Sequence, residues 1–272
     1  MSRKLRFAPP NYPLHVTQRG NYRQQVFFSD DDRAHFLALL DHHADLRQVM
    51  IHGHTLMSNH FHLVVTGQVE DGVSRFMQHL TGQYAQYLHG RLNRRGRLWQ
   101  SRFYSCVLDP HHFLTALAYV DLNPVRARMV DRAEDYAWSS ASAHSGPQAA
   151  PEWLHLAALH GHVTPSEWRE RLRQPQSRGD LAALRRATQT EIPLGQPGFV
   201  EDPTSAYGRF RWAGRRGRWC KARRTPLRSP VVPGSQREGA GRSVSGEIGV
   251  CTPGTPLTPI SIKASRRTGQ AA

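Results

Sequence analysis

The sequence contains little cysteine and no long apolar run, and both absences limit what the protein can be. Its three cysteines, Cys106, Cys220 and Cys251, are far apart and form no CxxC pair, so neither a zinc ribbon nor a disulfide framework is predicted. No apolar stretch approaches the roughly 18–20 residues that span a bilayer. The basic residues at the start also lack the apolar segment of a signal peptide. We therefore expect a protein of the reducing cytoplasm.

Acidic residues are scarce as well: 21 Asp and Glu stand against 36 Lys and Arg, for a net charge of +15. Most of this excess lies in residues 203–272, which hold 14 basic and 2 acidic residues, whereas residues 1–202 hold the other 22 and 19. A positive charge of this size favours a polyanionic partner such as nucleic acid. Residues 203–272 are dominated by Gly, Pro, Ser, Thr and Arg, which predicts a basic low-complexity tail that is disordered alone.

The hydrophobic pattern of residues 14–123 predicts the order strand, helix, strand, strand, helix, strand, helix. Strand patterns cover residues 14–18, 49–57 and 61–66, with residues 25–28 resuming the first strand and residues 99–108 extended. Ser29 and Asp109 have the character of helix N-caps, and Pro110 suits the first position of the last helix, which we expect to stop at residues 123–124. This order predicts an α+β fold, a ferredoxin-like split βαβ sandwich with an antiparallel sheet and an added C-terminal helix. We expect one domain over residues 1–140 and a small helical extension over residues 141–202.

Histidine pairs are the first candidate site. The chain has 16 histidines, and three pairs follow a His-x-His pattern: His52 and His54, His60 and His62, His160 and His162. Side chains two apart on a strand share a face, so His60 and His62 could hold one divalent metal. Apolar strand residues on both sides favour this pair. In so histidine-rich a chain, however, spacing alone leaves ordinary strand histidines as the alternative.

The last predicted helix carries Tyr119 and, one turn later on the same side, Asn123. Tyrosine can attack a phosphodiester and form a phosphotyrosine, which conserves the bond energy for rejoining. A nearby divalent cation would polarise and orient the phosphate. The helix alone also allows Tyr119 to be a packing residue with its hydroxyl in water.

Five strings in this order and spacing resemble the single-tyrosine HUH transposases, in particular their REP-associated tyrosine transposase branch: HVTQRGN (15–21), LMSNHFHL (56–63), LWQSRF (98–103), YVDLNPVRA (119–127) and WSS (138–140). The resemblance implies that Tyr119 is the catalytic residue and that His60, His62 and Asn123 bind Mg²⁺ or Mn²⁺. It implies a substrate of single-stranded DNA with a foldback hairpin, of the repetitive extragenic palindrome type. The tyrosine would keep the 5′-phosphate and release a 3′-hydroxyl that can later rejoin strands.

Arginines neutralise phosphates, and aromatic rings stack on unpaired bases. We expect DNA contacts in the loop after the first strand, in the basic segment near residue 100, and just after the tyrosine helix. The residues are Arg19, Asn21, Arg23, Arg94, Arg95, Arg97, Trp99, Arg102 and Arg126. Core packing remains the alternative for Trp99.

The favoured function is therefore a DNA strand transferase in transposition or repeat processing, acting as a monomer or homodimer in a bacterial cytoplasm near the nucleoid. A replication-initiator or relaxase nuclease shares the His-hydrophobic-His chemistry. The single tyrosine on a helix far after the pair favours the transposase. A third possibility is a non-catalytic hairpin-DNA-binding regulatory protein, which would need the arginines but not Tyr119, His60 and His62 together.

Overall fold

The computed structural model describes residues 6–196, Phe199, and the backbone of residues 210–213 and 218–221. Strands β1 (Pro13–Arg19), β2 (Val49–Met57), β3 (His60–Gly67) and β4 (Tyr104–Val107) form one antiparallel sheet in the order β2-β3-β1-β4. Helix α1 (Asp30–Leu46) connects β1 to β2, and helix α2 (Gly72–Leu92) connects β3 to β4. The predicted α+β fold, a ferredoxin-like split βαβ sandwich, is confirmed.

Local capping signals fix where two of the helices begin. Ser29 and Asp32 form a capping box at α1, in which each side chain accepts a hydrogen bond from the other residue's backbone N–H. Helix α3 (Pro110–Asp121) begins with the Asp109 carboxylate accepting from the His112 N–H at 2.8 Å. Both starts agree with the sequence patterns.

The prediction that residues 25–28 resume the first strand is wrong. The backbone N–H groups of Val26 and Phe27 both donate to the carbonyl of Ser58, at 2.8 and 3.1 Å, and join no ladder. The side chains of both residues are buried and contribute to the core, with Phe27 packed against Phe36 and Tyr84. Burial of a loop thus produced the apolar run that resembled a strand.

Strand alternation divides the sheet into two faces with different covers. Phe61, Leu63 and Val65 of β3 belong to the core shared with α1 and α2. Val64 belongs to a second apolar cluster formed with α3 and later helices, and His62 lies on that same face. Gly53 of β2 allows α3 to approach closely, because a Cβ there would lie 2.7 Å from a Leu117 methyl group.

Within the described residues, five α-helices follow α3: α4 (Asn123–Arg126), α5 (Ala141–His144), α6 (Ala157–His160), α7 (Pro165–Arg173) and α8 (Arg178–Thr190). Helix α8 packs on β4 and reaches β1, so the described part of the extension lies in the same compact unit as the sheet. Most of the predicted low-complexity tail lies outside the described residues. Its strands β5 (Phe210–Ala213) and β6 (Arg218–Lys221) pair antiparallel. Among the described helices, none is both long and apolar enough to cross a membrane.

A buried carboxylate joins the end of α3 to the extension. Asp121 has no exposed surface and accepts hydrogen bonds from Ser140 Oγ at 2.9 Å, His144 Nδ1 at 2.7 Å and Trp168 Nε1 at 3.0 Å. His144 Nε2 also donates, to the carbonyl of His52 at 2.8 Å. Both ring nitrogens therefore face acceptors, an arrangement that suits an imidazolium paired with the carboxylate.

Two buried histidines of β2 should make stability depend on pH. Burial lowers the pKa of His52 and that of His54 to about 4. In the unfolded chain each takes up a proton near pH 6.5, whereas the folded chain does not, so stability is complete above pH 6.5 and falls as pH drops toward 4.

We expect His54→Gln to reduce this pH dependence by as much as about 1.4 kcal/mol per pH unit between pH 6 and 5. The measurement is urea unfolding at a series of pH values from 7.5 to 5. His162→Gln, at an exposed position, is the matched control and should leave the slope unchanged. Parallel curves for His54→Gln and the wild type would contradict the prediction.

Candidate active site

A cavity of about 680 Å³ lies on the sheet face opposite α1 and α2, between β1, β3, the end of α3 and α8. It gathers residues that are far apart in the sequence. Those predicted from the sequence that line it are Arg19, His60, His62, Tyr119, Asn123 and Arg126. The three proposed metal ligands and the proposed nucleophile therefore share one cavity.

The Tyr119 ring packs nearly perpendicular to two histidine rings. Its ring meets His62 at a centroid distance of 5.5 Å and an angle of 83°, and meets His15 at 5.6 Å and 81°. Only 6% of Tyr119 is exposed. The rest of α3 is anchored by buried apolar side chains, among them Phe113, Leu117 and Val120, so the phenol is placed against the histidines with little freedom.

Two arginines flank the same phenol. The Arg126 guanidinium lies 4.2 Å from the centroid of the Tyr119 ring and donates to the Tyr119 carbonyl and, at 2.7 Å, to Gln176. Burial lowers the pKa of Arg126 to about 10, which still leaves it protonated at neutral pH. Arg185 Nε donates to the Tyr119 hydroxyl at 3.4 Å. Positive charge thus surrounds the atom that would attack a phosphate.

Sequence reasoning missed Arg185. It lies on α8, outside the strings that carry the resemblance, and an arginine on an amphipathic helix usually indicates only a solvated face. Its approach to Tyr119, 66 residues earlier, depends on how α8 packs on β4. No local pattern in the sequence contains that information.

The two histidines of β3 are in the protonation state that metal binding needs. Burial lowers the pKa of His60 to about 4 and that of His62 well below its usual range, so both are neutral at pH 7. His60 Nδ1 donates to Asn59 Oδ1 at 2.6 Å, while the Asn59 amide nitrogen donates to the Arg23 carbonyl at 3.1 Å. Since Nδ1 of His60 carries the hydrogen, its Nε2 keeps a lone pair for a ligand.

A third protein ligand would have to be an amide. Within the described part of the chain, no three His, Cys, Asp or Glu side chains come close enough to hold an ion. Asn123 lines the cavity; its buried Nδ2 has no hydrogen-bond partner, and its Oδ1 is the atom that could ligate an ion. The donor set of two neutral imidazoles and one amide fits a divalent ion whose remaining positions are taken by water and phosphate. Imidazole nitrogen makes this set better suited to Mn²⁺ than to Mg²⁺.

The other two His-x-His pairs have different surroundings. His52 and His54 are buried beside a bulge in β2, where His52 Nε2 meets Thr66 Oγ1 at 2.8 Å and the His54 ring packs on Trp153. His160 and His162 are exposed at the end of α6. Neither pair lines the cavity that holds Tyr119.

Two groups of the predicted DNA contacts lie on segments that the structure brings together. Backbone and side-chain hydrogen bonds join the loop after β1 to the segment before β4: Asn21 N to Leu98 O at 2.8 Å, Gln24 Nε2 to Leu98 O at 3.0 Å, and Gln100 N to Arg19 O at 3.0 Å. The exposed arginines on these two segments form what we call the arginine rim: Arg19, Arg23, Arg94, Arg95 and Arg97. Two clusters that were separate in the sequence are thus neighbours.

Trp99 and Arg102 lie beside a second groove, of about 630 Å³, away from Tyr119. Trp99 is half-buried: its Nε1 donates to Thr81 O at 2.9 Å, and its ring meets Phe61 edge to face at 5.7 Å. Arg102 is exposed. Trp99 therefore contributes to the core and also borders a groove, and its contact with DNA stays a prediction.

Tyr22 is a second residue that sequence reasoning missed. It lies between Asn21 and Arg23 and is 94% exposed. Tyr22 and Arg23 both have positive φ angles, 50° and 59°, which residues other than glycine rarely adopt. A fully exposed aromatic ring in a strained loop beside the arginine rim is the kind of group that can stack on an unpaired base.

Comparison with known proteins finds a family model that matches the part of the chain that carries most of these residues. Residues 10–123 match the model of the IS200-like transposase family. Similar solved structures include a REP-associated tyrosine transposase bound to a REP hairpin, with 18% identity over 56% of this chain and 89% of that chain and a TM-score of 0.47. Another is a putative transposase from Deinococcus radiodurans, with 17% identity over 47% of this chain and 88% of that chain and a TM-score of 0.32. No curated protein matches the chain. The segment that matches this family model, residues 10–123, includes His60, His62, Tyr119 and Asn123.

Proposed function

We propose that the protein is a DNA strand transferase that cleaves and rejoins single-stranded, hairpin-bearing DNA through a 5′-phosphotyrosine. The observation that carries this proposal is the convergence of Tyr119, His60, His62 and Asn123 in one cavity. Tyr119 is flanked by two arginines and faces the rings of His15 and His62. Ionisable groups gathered in one cavity in this way are typical of functional sites.

His60, His62 and Asn123 would hold the divalent ion, Mn²⁺ or Mg²⁺. When bound, the ion would polarise the scissile phosphate and orient it for in-line attack. Neutral imidazoles lose no proton on binding, so the folded site is ready for the ion at neutral pH.

The Tyr119 hydroxyl oxygen would attack the phosphorus while the bond from phosphorus to the 3′-oxygen breaks. The phenol proton passes to water, and the leaving 3′-oxygen takes a proton from water, so the products are a 5′-phosphotyrosine and a 3′-hydroxyl. One phosphodiester replaces another, and the reverse attack by a 3′-hydroxyl rejoins strands without an external energy source.

Arg126 and Arg185 would act on charge in this step. Both guanidiniums stand beside the Tyr119 ring, where they can stabilise the negative charge that develops on the attacking oxygen and on the phosphate. Preorganised cations in a partly buried site are more effective than the same charges in water. Arg126 is further fixed by Gln176, so it loses little freedom when the substrate binds.

The arginine rim, Asn21 and Tyr22 would guide the single strand into the cavity. Rim arginines neutralise phosphates without regard to sequence, whereas Tyr22 would stack on a base. Arg102 and Trp99 would contact a neighbouring part of the strand or hairpin. That the hairpin is of the repetitive extragenic palindrome type is supported by the five sequence strings, and such a substrate would lie in a bacterial nucleoid.

The test is incubation of the protein with end-labelled hairpin DNA that carries single-stranded flanks. We expect a covalent protein–DNA adduct that survives denaturing electrophoresis, forms more readily with Mn²⁺ than with Mg²⁺, and disappears when EDTA removes the ion. Tight binding without any cleavage would favour the regulatory hairpin-binding protein instead. Cleavage without an adduct would point to a hydrolytic nuclease.

A further inference from the structure

A chain of hydrogen bonds runs from helix α8 to the proposed metal ligand His62. Thr188 Oγ1 donates to the carbonyl of Leu184 at 2.8 Å, one turn earlier on α8. The same oxygen lies 2.8 Å from His15 Nδ1, and His15 Nε2 lies 2.9 Å from His62 Nδ1. Thr188, His15 and His62 are all buried, so these bonds do not compete with bulk water.

The first bond in the chain fixes the direction of the others. A threonine hydroxyl has one hydrogen, and here it points to Leu184, so toward His15 the oxygen can only accept. His15 Nδ1 must then carry a hydrogen. In its neutral form the imidazole ring carries one hydrogen, so Nε2 of His15 is the nitrogen with the lone pair.

The consequence reaches His62. Because His15 Nε2 accepts, His62 Nδ1 must be the donor and carry the hydrogen of the neutral ring. The Nε2 of His62 then keeps its lone pair, which is the form a metal needs. The opposite direction, with Thr188 donating to His15, would put a hydrogen on His62 Nε2 and block coordination there.

Ring geometry supports a positioning role. His15 and His62 are nearly parallel, at 8° with centroids 5.1 Å apart, and both meet the edge of Tyr119. Cys106 Sγ lies 3.3 Å from Thr188 Oγ1 and can donate to its second lone pair without changing the direction. Thr188 lies 65 residues beyond the segment that matches the transposase family, so the anchor comes from the extension.

We propose that His15, held by Thr188, is a positioning residue that fixes the Nδ1-protonated tautomer of His62 and presents its Nε2 to a divalent metal. The metal in this statement rests on the proposed function. The tautomer does not, since it is a property of the metal-free protein. Asn59 has the corresponding position at His60, so each histidine of the pair has its own orienting partner.

The decisive measurement on the metal-free protein is a long-range ¹H–¹⁵N correlation spectrum of the histidine rings. We expect His62, assigned by its loss in His62→Gln, to show a protonated Nδ1 and an unprotonated Nε2. In Thr188→Val, which keeps the shape but has no hydroxyl, the His15 and His62 tautomers should become mixed. Thr188→Ser, which restores the hydroxyl, should return the wild-type pattern.

Mn²⁺ binding, followed by electron paramagnetic resonance, provides the second readout. We expect His15→Leu to weaken binding by about 10- to 100-fold. His15→Gln, whose amide oxygen can accept near the position of Nε2, should recover much of the loss. Backbone amide spectra would verify that each variant is folded.

A wild-type His62 with its hydrogen on Nε2 would overturn the proposal. The proposal would also be overturned if the Thr188→Val and His15→Leu variants fold and keep the wild-type tautomer of His62 and the wild-type affinity for Mn²⁺. Failure of the wild-type protein to bind Mn²⁺ at all would instead contradict the proposed function, while the tautomer spectrum would still decide the role of His15.

Discussion

Tyr119→Phe should form no covalent adduct with hairpin DNA, a loss of at least about 10³-fold, because it removes the only atom that can make the phosphotyrosine. The ring itself remains. Its edge contacts with His15 and His62 and the Arg126 guanidinium over its face need no hydroxyl. DNA affinity, measured by fluorescence anisotropy on the same hairpin, should therefore stay close to that of the wild type.

Tyr104 supplies the matched control for this experiment. It lies on β4, lines the same cavity and is half-buried, whereas His62, Arg126 and Arg185 pack against the Tyr119 ring. Tyr104→Phe should retain the adduct. An adduct that persists in Tyr119→Phe and disappears in Tyr104→Phe would move the nucleophile to β4 and sink the proposed mechanism.

The sequence contained enough to predict the parts of this site that depend on local geometry. Alternation along β3 placed His60 and His62 on one face, and the Asp109-Pro110 start set the phase of the helix that carries Tyr119. Both are properties of a few neighbouring residues, and the structure has them as predicted. The burial of Val26 and Phe27, by contrast, depends on tertiary contacts such as those of Phe27 with Phe36 of α1 and Tyr84 of α2, which the local apolar run does not reveal.

The position of Asn123 differs from the prediction, which placed it on the same continuous helix as Tyr119. Helix α3 ends at Asp121, and Asn123 is the first residue of α4, so the two side chains are not on one unbroken helix. The chain nevertheless continues to turn: Leu122 N bonds to Ala118 O at 3.0 Å and Arg126 N bonds to Leu122 O at 3.0 Å. Helical spacing therefore survives the break approximately, and Asn123 still lines the cavity.

The residues that could not be predicted come from distant parts of the chain. His15 to Thr188 spans 173 positions, and Tyr119 to Arg185 spans 66. Their contacts exist because α8 packs across β4 and β1. Contacts of this kind depend on the docking of a whole helix, and helix docking leaves no mark in residue spacing. The extension is thus a structural part of the cavity, so the contacts that position the extension also position the site.

Asp121 joins α3 to Ser140 and to helices α5 and α7 of the extension, and Asp121→Ala should cost about 3–5 kcal/mol of unfolding free energy. The substitution removes the acceptor of His144 Nδ1, the acceptor of the Trp168 indole N–H and the closer of the two acceptors of the Ser140 hydroxyl, and all three groups are buried. Domains are stable by only about 5–15 kcal/mol in total. Urea unfolding followed by tryptophan fluorescence gives the measurement.

The control is Asp131→Ala, at an exposed position, which should change stability by less than about 0.5 kcal/mol. A double-mutant cycle with His144→Leu separates the pairing of Asp121 with His144 from packing. We expect the stability loss of the double variant to be smaller than the sum of the two single losses, by a coupling energy of about 0.5–3 kcal/mol. Additive losses would mean that Asp121 acts only through Trp168 and Ser140. A loss below about 1 kcal/mol in Asp121→Ala would show that α3 and the extension are joined by apolar packing alone.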